Sequence, residues 1–314
     1  MTNYLSSSFS VLRGLLLRPP AISSDNLVFV LHYRATTALL LIFSTLTCSV
    51  QMFGVPIICL VRGVPEKLFN TYCWIHSTFT LPYRSQGVRG IDHLEPGVGH
   101  FRNGTTEADR VYHGYYQWVG IFLLFQAASF YFPHLLWKIC EGGRLKQLIN
   151  GLGSVTDKQE VLKSRINGVV TYLARNNGAN NCYGAKFMFC EFLNLVNVLG
   201  QLYLLELFLH YEFSSFGLDV FRMVGLDDEQ RTDPMVRVFP KVTKCSFHTY
   251  GASGTIQNHD GLCILPINVI NEKIVLFLWV WLLALALLSV LGCCLRIGTL
   301  ISLGFRRLIL HAQW

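Results

Sequence analysis

YYQWVGIFLLFQAASFYFPHLLW, residues Tyr115 to Trp137, decides the fold. These twenty-three residues carry no charge, and an α-helix needs only about 20 apolar residues to cross a hydrocarbon core of about 30 Å. Tyr115, Tyr116 and Trp118 open the stretch, Trp137 closes it and Lys138 follows. Amphipathic rings at both ends suit the two headgroup layers. A buried helix of a soluble protein can also be apolar all round, but the composition opposes that reading. The chain is 52% hydrophobic and 14% charged, with a mean hydropathy of +0.39, whereas soluble domains carry about 25% charged residues. The stretch reads as a membrane span, and the remaining segments are placed relative to it.

Working outward, three more spans emerge. Upstream, Ala35 to Met52 is apolar apart from hydroxyls, which bond back to their own helix, and Gly54 and Pro56 end it. Ser23, Ser24, Asp25 and Asn26 offer caps for a helix that runs through His32 and Arg34 into this span. Downstream, Phe187 to Leu209 is apolar but contains Glu191, Asn194, Asn197, Gln201 and Glu206. At about 100° per residue the first four fall within one arc of about 120°. That pattern fits either a water-facing stripe or hydrogen bonding inside the helix bundle. The last span, Ile274 to Leu295, is a charge-free run. Within the 115–137 span, Pro133 removes the hydrogen bond to the Ser129 carbonyl, so a static kink is expected there. The expected fold is therefore an all-α membrane protein with four transmembrane helices.

Between the spans, 53–114 and 210–273 read as loop-like, with scattered Pro and Gly; the run Gly251 to Gly261 reads as an exposed, structured loop. Residues 138–186 form a basic connecting loop, 1–34 an N-terminal segment and 296–314 a short tail. Val11, Leu12, Leu15 and Leu16 recur at helical spacing, so a short amphipathic helix ending at Pro19–Pro20 is expected. That cluster is too short and broken for the apolar core of a signal peptide.

Charge sets the topology. The termini and the middle loop together hold fourteen Lys and Arg against four carboxylates, whereas the two loops on the other side hold twelve against thirteen. An excess of Lys and Arg marks the cytoplasm, so the termini lie inside. Orientation accounts for the net charge of +7, and the absence of a basic run speaks against nucleic acid. Cys59 and Cys73 then lie in the first outside loop, and Cys245 and Cys263 in the second. Four thiols in an oxidising compartment form two disulfides, with three pairings open. Cys48, Cys140, Cys182, Cys190, Cys293 and Cys294 fall in spans or cytoplasmic segments and are expected to be free. A zinc site is not expected, because no cysteine pair has the short C-x₂₋₄-C spacing. Asn103-Gly104-Thr105 is a glycosylation acceptor pattern in the first outside loop.

YYQWV at Tyr115, Tyr116, Gln117, Trp118 and Val119 resembles the signature of the innexins, the invertebrate gap-junction subunits. The similarity extends to TYCWIHSTFTLP around Cys73, EPGVG from Glu95, LWKICEGGRLK from Leu136 and FCEFLNLVNVLGQ in the third span. It continues through the stretch Asp233 to Ile274 and covers residues 10 to 300. The resemblance implies a ring of eight four-helix subunits, homo- or hetero-oligomeric with other innexins, in the plasma membrane at cell junctions. It implies docking to a ring on a neighbouring cell, disulfides that tie loop to loop, and an N-terminal segment folded into the pore mouth. Three departures stand out. The run Gly54 to Cys59 is uncharged where relatives often carry acidic residues, Pro19–Pro20 replaces a more polar stretch, and the tail is shorter.

Two other readings remain at the level of sequence. One is an undocked hemichannel releasing small metabolites, which a glycan at Asn103 would favour. The other is a non-conducting four-span organiser such as a tetraspanin or claudin, but the Cys-Cys-Gly and Gly-Leu-Trp motifs of those families are missing. An enzyme is not expected. The histidines are scattered, Gly151-Leu152-Gly153 lacks a preceding strand, and neither catalytic residues nor a cofactor can be assigned.

Overall fold

The computed structural model describes residues 25–84, 95–100, 109–149, 159–175, 180–223, 234–302 and 304. Among them, four helices are long and apolar enough to cross a membrane: α1 (Leu27–Phe53), α3 (Val119–Glu141), α6 (Asn180–Phe208) and α9 (Pro266–Ile301). Three begin earlier than the charge-free runs suggest. For α1 the cause is local: the Asn26 side chain accepts a hydrogen bond from the Phe29 N–H at 2.7 Å and caps the start. The turn Leu31–Thr36 inside α1 is π-helical, and the Thr36 hydroxyl donates to the Leu31 carbonyl at 2.9 Å. The α3 helix starts at Val119 rather than Tyr115, because Tyr115–Gln117 forms a 3₁₀ turn.

Among their described residues, the segments expected to be loop-like carry regular secondary structure. They hold helices α2 (Glu66–His76), α7 (Phe213–Met223) and α8 (Pro234–Val238), and strands β1 (Ile58–Leu60), β2 (Thr78–Thr80), β3 (Val111–His113), β4 (Val242–Tyr250) and β5 (Ile256–Ile264). The strands make one antiparallel sheet in the order β1-β5-β4-β2-β3. Three strands come from the first segment and two from the second, so neither segment completes the sheet alone. Gly254, at φ +82°, closes the β4–β5 hairpin, and the Gly251 N–H donates to the Thr255 carbonyl at 2.8 Å. The connecting loop between α3 and α6 carries α4 (Arg144–Ile149) and α5 (Gln159–Arg175).

The chain divides into two compact units. One comprises residues 1–41, 125–201 and 282–314, and the other 42–124 and 202–281. The first packs around Phe29, Tyr33, Trp137 and Cys190, with the Phe29 ring 5.8 Å from Phe187 and the Tyr33 ring stacked on His134. The core of the second gathers Ile57, Phe69, Tyr116, Leu265 and Ile267 around four half-cystines.

Candidate functional site

Two disulfides join the segments that build the sheet. Cys59 and Cys263 are register partners on adjacent strands β1 and β5, and their sulfurs are bonded. Cys73, on α2, is bonded to Cys245 on β4. All four are buried, and three of the sulfurs lie close together, but each is already consumed in a disulfide and offers no thiolate to a metal. Cys48, Cys140, Cys182, Cys190, Cys293 and Cys294 are unpaired.

The Tyr115–Val119 stretch joins this sheet to α3. Tyr116 is fully buried in the cystine core, with its ring 5.0 Å from that of Trp74. The Tyr115 hydroxyl donates to the Val238 carbonyl at 3.1 Å. Gln117 donates through its amide to the Trp74 carbonyl, and Gln51 on α1 donates to the Tyr116 carbonyl at 2.8 Å. These sideways bonds recruit polar groups that a lipid-embedded helix would leave unmatched, which explains why the regular helix begins only at Val119. Trp118 is exposed, as a headgroup-level ring would be, and Val119 is buried.

Buried polar groups lie on the sheet and at its junction with α9. Lys244 is buried on β4 and its ammonium donates to the Gly99 carbonyl at 2.7 Å while pairing with Asp260 at 2.8 Å. It lines a cleft of about 770 Å³ with Arg62, His100 and His259. His113 on β3 is buried with a ring nitrogen 2.8 Å from the Thr80 hydroxyl. Burial, assisted by the charge of His210, pushes its pKa down to about 4. Glu272 at the start of α9 is fully buried and pairs with Lys273 at 2.6 Å and Lys241 at 2.9 Å.

The polar face of α6 turns into the first unit. Asn194 and Gln201 are buried, and the Gln201 amide donates to Asn197 at 3.4 Å. Glu191 receives two hydrogen bonds of 3.0 Å, from Nε and Nη2 of Arg296 on α9, and a third from the Asn26 amide. Thus one carboxylate links the cap of α1, the body of α6 and the end of α9. The sequence reading missed Arg296 as its partner. The available signal was charge complementarity: Arg296 is the first charge after the run Ile274–Leu295, and Glu191 is the first acid in its own span. Arg34, which the sequence places on the helix leading into the first span, has Nε and Nη2 buried within the π turn with no hydrogen-bond partner among the described residues. Pro133 is buried inside α3. Asn103 and residues Val11 to Pro20 lie outside the described residues.

The innexin family model matches residues 25–313. The chain belongs to the innexin family. It is 46% identical to innexin inx2 of Drosophila melanogaster over 97% of its own length and 82% of that protein. It matches inx2 of Schistocerca americana at 46% over 97% of the chain and 84% of the relative. Innexin shaking-B of Drosophila melanogaster is 39% identical, over 93% and 79% respectively. Innexins are gap-junction channel subunits, and so is this chain. Its paired cysteines, four apolar helices and YYQWV joint are the parts of that channel visible within one subunit.

Proposed function

We propose that this innexin assembles as a ring of eight subunits, alone or with other innexins, around an axial pore in the plasma membrane at cell junctions. The termini and residues 138–186 face the cytoplasm, and the cystine-bonded sheet faces outside, where it docks with a ring on the neighbouring cell. The observation that carries this reading is the pair of disulfides joining the 53–114 and 210–273 segments. Disulfides persist in an oxidising compartment, and the Lys and Arg excess favours the opposite face as cytoplasmic. A sheet already ordered by cross-links loses little conformational freedom on docking. Ions and small molecules are then filtered by pore width and wall charge, without a catalytic step. The uncharged run Gly54–Cys59 argues against strong cation preference at the entrance. The polar face Glu191, Asn194, Asn197 and Gln201 serves the bundle interior rather than the pore wall, as its burial and its bond to Arg296 favour.

Paired cells expressing the chain test this directly. Dye transfer and junctional current between cells are expected, and an axial image of the solubilised particle should display eight subunits around a hole. Current without transfer would select the undocked hemichannel, a reading favoured by the acceptor pattern at Asn103.

A further inference from the structure

The helix α7 buries one apolar face and exposes two further large apolar side chains beside it. Phe213, Phe216, Gly217 and Val220 are buried, whereas Leu218 is 50% and Phe221 57% exposed. Its depth can be read from what it touches. Gly217 rests directly on the Trp279 indole, so closely that a Cβ at 217 would collide with the ring. The Phe221 ring lies 5.9 Å from the same indole. Trp279 is six residues beyond Lys273, the last charge before the run Ile274–Leu295, which places it about 9 Å along the helix axis into the charge-free run. In-plane amphipathic helices sit about 5–10 Å into the headgroup–acyl boundary. Tyr203 and Leu207 on α6 and Phe277 and Val280 on α9 are exposed apolar side chains as well. The carboxylates Glu212 and Asp219 share the single guanidinium of Arg237, at 2.7 and 3.4 Å, which offsets one of their two charges. Arg222 is an exposed cation at the C-terminal end of α7.

We propose that α7 lies in the membrane plane and that its Leu218–Phe221 face binds phospholipid of the leaflet on the sheet-bearing side. Acyl chains cover Leu218 and Phe221, and Arg222 meets the phosphate. The depth of Trp279, about 9 Å into the charge-free run, favours acyl chains as the occupant. The site depends on the membrane insertion of α6 and α9 but not on which leaflet faces outward.

A benzophenone amino acid incorporated at position 218 of the full chain, expressed in cells fed an alkyne-bearing fatty acid, tests the proposal. After irradiation the monomer band should carry a phospholipid adduct. The same group at 250, on the hairpin tip, should carry none, and at 125, on an exposed face of α3, it should report lipid. A covalent subunit pair at 218, or no lipid there while 125 is labelled, would overturn it. Loss of label at both 218 and 125 would instead point to failed insertion of the chain, and because that also denies α7 its bilayer it likewise counts against the site.

Discussion

At Gly120, α3 packs directly against α1. A Cβ there would come within 2.5 Å of the Cys48 sulfur and 3.2 Å of the Thr47 hydroxyl. The Ser44 hydroxyl donates to the Gly120 carbonyl at 2.8 Å. Small residues let membrane helices pack backbone to backbone, so Gly120→Ala should cost about 1–3 kcal/mol through overpacking. A lowered melting temperature of the detergent-solubilised protein, restored by the compensating Cys48→Ala, would register it. His113 makes a second prediction at this scale. Its folded pKa of about 4 lies below the ordinary 6.5 of an unfolded chain. The unfolded state therefore binds the proton first as the medium acidifies. The stability contributed by neutral His113 is complete above pH 6.5 and declines as pH falls towards about 4, by roughly 3 kcal/mol at most. In His113→Gln the sheet unit should lose this part of its acid sensitivity, read as a flatter melting temperature between those pH values. An unchanged slope would refute it.

Three of the long helices were legible because each contains a charge-free run of the length a bilayer needs, and α6 because its apolar residues outweigh Glu191 and Glu206. The sheet was not legible, for a physical reason. Strands β1, β2 and β3 are three residues long, too short for alternation to register, and β1 pairs with β5 about two hundred residues away. Likewise, spacing placed Glu191, Asn194, Asn197 and Gln201 on one face, but only the position of Arg296 on another helix reveals where that face turns. The regular helix α3 begins four residues into the 115–137 stretch because Tyr115 and Gln117 satisfy polar groups sideways, which composition does not encode. At this scale the Glu272 pairing is the sharpest case. The carboxylate is fully buried, whereas Lys241 and Lys273 are 38% and 64% exposed. Removing the acid leaves lysines that water can solvate; removing both lysines strands a buried charge. The Lys241→Met/Lys273→Met double variant should therefore lose about 3–5 kcal/mol, and Glu272→Gln clearly less. Equal melting temperatures for the two would refute this ordering.

Over the whole molecule, the two disulfides are nested, and that arrangement decides how each acts. Cys59–Cys263 closes a separation of 204 residues, and Cys73–Cys245 one of 172 inside it. With the outer bond intact, opening the inner one frees a covalent ring of only roughly 30 residues, which the chain-entropy account values at about 4 kcal/mol. Opening the outer bond alone frees the same ring, so the two should be nearly equivalent for folding. They differ in what they hold. The inner bond fastens α2 to the sheet, whereas the outer one joins strands that the β1–β5 ladder already pairs. Cys73→Ser/Cys245→Ser should thus abolish dye transfer between paired cells while the chain still reaches the surface, because α2 is released from the sheet proposed to dock. Cys59→Ser/Cys263→Ser should retain more coupling at equal surface density, since the ladder keeps β1 in place. Normal transfer by the first variant, measured beside surface biotinylation, would show that docking does not need the sheet to be held by its cystines.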